Sequence, residues 1–324
     1  MQFWTLIVDS LRESVDRKIF WVITAITFLV IASMISIGFE EDRISLLFGM
    51  WEVDTGVMDP MTGEAGFDAK TALGRRNIAS IAVGIADMAI GWVGLTLALI
   101  ATAGFIPTFL ERGAIDVVLS KPMSRPMLFL GKYVGSLAFV LLISVMFVVP
   151  SFLVIWLRWG VWMPGYLMLI PLLVLLFSYI YCVTAWAGVV TRSTVASALI
   201  GLGAWIAFVS VQQSANVVES VPGWRKTEWL YDSTRIARWC VPKTEDVTAL
   251  ASRWAGAGTS EELMGPPDAA TVNELADSGF DYDSVYELEQ KRAAVDAFAT
   301  IGSSLAFEAV IVIWAMWIFS RKDY

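Results

Sequence analysis

Histidine is absent from the 324 residues, which removes His-ligated metal sites, His-based catalytic triads and the usual side-chain proton shuttle at once. Of the two cysteines, Cys182 falls inside an apolar run and Cys240 in a polar stretch, so neither a disulfide framework nor a thiolate metal site is implied. A nucleotide-binding loop is missing as well. The one Gly-Lys pair, Gly131-Lys132, is followed by Tyr133 where a P-loop places Ser or Thr, and Pro126 stands where its upstream Gly belongs. What remains are two carboxylates set within apolar runs, Asp87 and Glu308. An Asp at the centre of a membrane helix costs roughly 2.5–3.5 kcal/mol, against roughly −0.3 to −0.6 kcal/mol for each Leu, Ile, Phe or Val. The run around Asp87 holds enough of those to insert regardless. Such acids either line a path across the membrane or hydrogen-bond between helices. No catalytic, cofactor-binding or metal-binding residue is expected.

The elements that must position these acids are membrane spans. With 57% hydrophobic and 17% charged residues, the chain carries more apolar surface than a soluble fold of this size can hide. Charge almost vanishes from six runs, at about 19–37, 80–106, 127–156, 166–190, 195–211 and 301–320. Runs of this kind match the length a helix needs to cross hydrocarbon. The expected fold is therefore all-α, a polytopic membrane protein with six transmembrane helices over residues 19–320. Pro171 lies inside the fourth run, where neighbouring helices can re-satisfy the backbone.

Residues 1–18 read as an amphipathic interfacial helix. Phe3, Trp4, Ile7, Val8, Leu11 and Val15 share one side, and Asp9, Arg12, Glu13 and Asp16 the other. The apolar run that follows is longer than a signal-peptide h-region, so it is read as a retained span. Residues 38–79 form a polar, turn-rich loop, and 212–300 a large segment with one helix near 228–240 (Trp229, Ile236, Trp239) and another over "SVYELEQKRAAVDAFA". Trp156, Trp159 and Trp162 mark one membrane boundary and Trp21 the other.

Six spans put both termini on one side. With that side inside, the inner segments hold ten Lys/Arg and six Asp/Glu, and the outer segments thirteen and twenty-three. The positive-inside rule then places both termini and the tail 321–324 in the cytoplasm of a multi-pass inner-membrane protein, with 38–79 and 212–300 outside. A net charge of −8 and the lack of a basic stripe with interleaved aromatics argue against nucleic-acid binding.

Between the second and third runs lies "GFIPTFLERGAIDVVLSKPMSRPMLFLGK", residues 104–132. Leu110, Ala114, Val117 and Val118 recur at helical spacing opposite Glu111, Arg112 and Asp116, which suits a short surface helix. Pro122 and Pro126 then break it. The pieces "ERG", "LSKPMSR" and "GK", in that order, resemble the cytoplasmic loop between the second and third spans of ABC transporter permeases of the type-2 exporter family. Topology resembles that family over the whole chain, residue detail only over about 104–135. The resemblance implies a coupling loop over 107–126 that docks on a separate ATPase subunit, with Glu111, Arg112, Gly113, Asp116, Ser120, Lys121, Pro122 and Arg125 as its contact residues. Lys121, Arg125 and Lys132 would grip the ATPase or lipid phosphates, or serve only as inside-positive anchors. A second permease copy, identical or homologous, and the lipid bilayer are the other implied partners. Two other classes stand beside this reading. A membrane-embedded lipid-modifying enzyme lacks a clustered acid–base pair at any span end, and an ion-coupled carrier lacks a visible inverted repeat or paired broken helices.

Overall fold

A computed structural model describes residues 2–40, 43–54, 67, 71–110, 124–220, 228–255 and 297–321. Helix α1 (Gln2–Asp16) meets α2 (Lys18–Ser36) at Arg17, whose extended backbone breaks the helix. Six helical segments are long and apolar enough to cross a membrane: Lys18–Ser36, Asn77–Phe109, Arg125–Arg158, Pro164–Thr191, Thr194–Val218 and Ala297–Arg321. The expected all-α, six-span architecture is the observed one.

The second span is composite. Helix α3 (Ala72–Ala86) is capped by Thr71, whose hydroxyl accepts from the Gly74 amide, and passes into a π-helical stretch (Asp87–Gly94). Then come α4 (Leu95–Thr102) and a short α5 (Phe105–Phe109). The third span is the single helix α6 (Arg125–Arg158), longer at both ends than the apolar run. A 3₁₀ turn (Pro164–Met168) leads into α7 (Leu169–Thr191), and α8 (Thr194–Ser220) follows after Arg192 closes α7 in a left-handed conformation. Helix α8 runs past residue 211, so polar residues such as Gln212 and Asn216 sit on a continuous helix.

Helices α6 and α7 form the centre, with Phe139, Phe147, Phe177, Tyr179 and Tyr181 almost wholly buried. Small residues permit the closest contacts. A Cβ on Gly201 would collide with Thr184, and one on Gly135 with Ser10. The latter contact seats α1 against the first turns of α6 through its Ser10–Ser14 edge, both serines being buried. The amphipathic helix thus buries Ile7 and leaves Asp9, Arg12 and Asp16 exposed, as its periodicity requires.

Beyond the spans, the structure adds a sheet and a helix to the elements the sequence predicts. The stretch after α2 is a three-stranded antiparallel sheet, β1 (Gly38–Glu40), β2 (Arg43–Leu46) and β3 (Trp51–Asp54), not only turns. Phe39 holds it to the bundle, stacking on Phe67 (5.7 Å between centroids) and meeting Trp159 edge-on at 4.9 Å. Trp159 itself is buried and donates its Nε1–H to the Ile37 carbonyl at 3.0 Å, so it is a strut, while Trp156 and Trp162 are the exposed boundary pair. On the same side, α9 (Glu228–Cys240) covers the span expected near 228–240, and α10 (Thr244–Trp254) tucks Val247, Leu250 and Ala251 onto the bundle. Gln212 fixes α10 by donating to the Pro242 carbonyl (2.6 Å) and accepting from the Glu245 amide (2.9 Å). Backbone at Gly165 lies so close to the Trp254 carbonyl that any Cβ there would overlap it. Helix α11 (Ala297–Arg321) completes the bundle. Of the second helix expected ahead of the last span, only its end, residues 297–299, is described, as the first residues of α11.

Candidate coupling site and intramembrane polar sites

Of the residues assigned to ATPase coupling, Glu111, Arg112, Gly113, Asp116, Ser120, Lys121 and Pro122 lie outside the described residues. Arg125 opens α6 and is partly exposed. The structure does show what flanks that loop. On its N-terminal side, α5 and the Gly104 turn before it are wedged among α6, α7, the start of α8 and the α1–α2 junction. Pro107 packs on Gly188 of α7, where a Cβ would come within 3.1 Å of the ring, and Gly104 faces Thr194 of α8. Arg17 places its guanidinium 4.7 Å from the centroid of Phe105, and the Lys132 ammonium lies 5.9 Å from that of Phe109.

The same two cations converge on one carboxylate. Glu13 accepts from Arg17 Nη2 at 2.7 Å and from Lys132 Nζ at 3.0 Å, while Arg17 Nη1 donates to the Ala101 carbonyl at 3.3 Å. Partial burial pushes the Glu13 carboxyl upward, but Lys132 and Arg17 outweigh it and hold the group below the usual carboxylate range. Lys132 is therefore engaged inside the protein, not free to grip a partner subunit or lipid phosphate, and its side chain is only 14% exposed. This cluster ties α1, the end of α4, α5 and the start of α6 together on the two flanks of the loop. The sequence placed Glu13 only on the polar side of α1; nothing local announces a contact with Lys132, 119 residues away.

Glu308 is fully engaged. Its Oε1 accepts from the Tyr133 hydroxyl at 2.7 Å and its Oε2 from Ser178 Oγ at 2.8 Å, which joins α11 to α6 and α7. Tyr133 stacks on Tyr181 (5.4 Å, 28°), and Tyr181 Oη lies 2.7 Å from Ser136 Oγ. Each donor to the carboxylate also has a backbone carbonyl within reach, Ser178 for Tyr133 (3.2 Å) and Leu175 for Ser178 (2.8 Å).

Asp87 is arranged oppositely. It opens the π-helical stretch on the surface of the chain, and among the described residues its carboxylate has no hydrogen bond or ion pair. The carboxylate folds over Gly91, where a Cβ would lie 2.7 Å from Oδ1. Trp92, in the next turn, packs on Trp205 of α8 in a tilted arrangement (5.2 Å, 43°). The two intramembrane acids are thus not brought together, and only Glu308 is built into the packing. No group of three or more metal-ligating side chains occurs among the described residues.

A family model described as "ABC-2 family transporter protein" matches residues 4–324, nearly the whole chain. The chain belongs to the ABC-2 transporter family. It is a multi-pass permease subunit of an ABC transporter. No curated protein matches it. The family match extends over the Glu13–Lys132 cluster, the composite second span and the capping helices alike, so this permease carries all of them within its transporter domain.

Proposed function

We propose that this permease is the membrane half of an ATP-driven exporter of the cytoplasmic membrane, energised by a separate ATPase subunit that docks on residues 107–126. Both termini and that loop face the cytoplasm, and the complete transporter holds two permease copies, identical or homologous. The observation that carries this reading is the setting of α5 at the base of the loop. A push delivered to the loop reaches the α1–α2 junction through Arg17, α6 through Lys132 and α7 through Gly188, and Gly104 just ahead of α5 faces Thr194 of α8. Packed elements of this kind shift as units, which is what transmission from a moving partner requires. Glu111, Arg112, Gly113, Asp116, Ser120, Lys121, Pro122 and Arg125 form the docking surface in this reading.

The two acids take different roles. Glu308 pins α11 to α6 and α7. Asp87, exposed and without a partner among the described residues, faces the water-filled path, because a carboxylate left toward hydrocarbon is costly. The test addresses the loop. Glu111→Lys with Asp116→Lys reverses two charges that the sequence spacing puts on one side of the proposed docking segment and leaves the spans untouched. It should insert normally, because added positive charge reinforces the orientation. It should lose the ATPase on co-purification, or lose its influence on hydrolysis, since like charges at a desolvated contact cost several kcal/mol. Unchanged pull-down and unchanged stimulated hydrolysis would refute the docking assignment.

A further inference from the structure

The turn between β2 and β3 is made from the wrong residues for a turn. Leu47 (φ 51°) and Phe48 (φ 59°) both occupy the left-handed region, and the Gly49 amide donates to the Leu46 carbonyl at 3.2 Å. Leu46 opposes Trp51, so these residues lie in a four-residue loop, and its left-handed backbone is one that Asn and Gly adopt readily and bulky side chains only under strain. Here it displays apolar side chains outward: Leu47 is 54% exposed, Phe48 70%, Met50 79% and Trp51 70%.

Register shows that the turn is the end of a larger apolar surface. Phe39 opposes Ile44, Ile44 opposes Val53, and Leu46 opposes Trp51, so all five share one face. Phe39 and Ile44 pack on the core, while Val53 and Trp51 run out beyond the protein's edge, both exposed. The opposite face carries the exposed Arg43–Glu52 ion pair (3.0 Å). The sheet is amphipathic, and its apolar half is only part covered.

Depth is fixed as well. The Phe48 amide donates to the carbonyl of Ser36, the last residue of the first span, at 3.0 Å. Trp159 reaches Ile37 next to it, and the exposed Trp156–Trp162 pair (5.0 Å) lies in the same boundary zone at the end of the third span. The tip is continuous with the exposed face of the first span through Ile35, above Phe28 and Leu29. Trp and Phe beside an apolar face at that level suit the boundary between headgroups and acyl chains.

We propose that residues 47–51, with Val53, insert into the lipid leaflet on the sheet side of the membrane, as an interfacial anchor holding the sheet flat against the bilayer. The ligand is phospholipid, at the depth where acyl chains begin. Single cysteines would be placed at Phe48→Cys and, independently, at Met50→Cys, in a Cys240→Ser background; Cys182 is fully buried and stays. Each is labelled with bimane in nanodiscs of zwitterionic phospholipid containing a nitroxide near the headgroup end of the acyl chain. Leu29→Cys serves as the lipid-facing reference and Asp232→Cys as the water-facing one. Quenching by the lipid nitroxide at positions 48 and 50, approaching that at 29 and well above that at 232, is expected. Two results overturn the inference. Full iodide quenching without lipid quenching puts the tip in water. Shielding from both quenchers means that protein, such as a second copy of the chain, covers it.

Discussion

Removing the carboxylate of Glu13 should harm the permease more than removing the ammonium it binds. The structure sets the size of the difference. Glu13 is 40% exposed and Arg17 30%, so water can replace much of what Arg17 loses, and that one-turn pair is worth only about 0.3–0.5 kcal/mol. Lys132 is 14% exposed. Glu13→Ala leaves that ammonium enclosed without its acid. Breaking a fully buried pair costs about 3–5 kcal/mol, and the water reaching Glu13 reduces this to roughly 2 kcal/mol. Lys132→Met removes the charge, keeps an unbranched apolar stem of similar length, and leaves Glu13 its Arg17 partner; its cost should stay below about 1 kcal/mol. The double variant should therefore be more stable than Glu13→Ala alone, because the second change removes the stranded charge. Thermal denaturation in nanodiscs, followed as loss of monodisperse protein, measures the order. The pH dependence has a definite sign. A carboxyl held below its usual value stabilises above its unfolded pKa, about 4.3 for Glu, and loses that contribution as pH falls through the folded value. The gap between wild type and Glu13→Ala should hold from neutral pH to about 5 and close below about 4.3. A double variant no better than Glu13→Ala, or a gap unaffected by acid, would refute the electrostatic account of the cluster.

Three further outcomes follow from the geometry. Glu308→Leu should change thermal stability by less than about 1.5 kcal/mol, since Tyr133 and Ser178 each retain a backbone acceptor and an insertion penalty disappears; a loss above about 3 kcal/mol would show that those acceptors do not substitute. Gly165→Ala should destabilise by about 1–3 kcal/mol and loosen α10, because the obstruction is the Trp254 backbone carbonyl and cannot rotate away; protease sensitivity near Trp254 checks it. A cysteine at Asp232 should react with an impermeant thiol reagent added from outside, and one at Ser124 should not, as the positive-inside reading requires; the opposite pattern would reverse the proposed orientation.

Much of this permease is written in local sequence. A span must satisfy every backbone group within its own helix, so hydrophobic run length alone specifies six of them, and the six observed helices fall on the six runs. The helix at Glu228–Cys240 was legible for a similar reason, since Trp229, Ile236 and Trp239 repeat with helical period. The sheet was not: β1, β2 and β3 are only three or four residues long, and their pairing follows a Leu-Phe turn that no turn propensity announces. Sequence could place Asp87 and Glu308 in the membrane but had to leave their roles equal, because the cost of an intramembrane acid depends on what surrounds it. Tertiary structure separated them by bringing Tyr133 and Ser178 from two other spans to Glu308 and, among the described residues, no hydrogen-bond or ion-pair partner to Asp87. It likewise took Lys132 from a candidate surface contact to an internal ion pair with Glu13. Helical periodicity is a property of neighbours in the chain, whereas the partner of a charge is chosen by how distant helices pack.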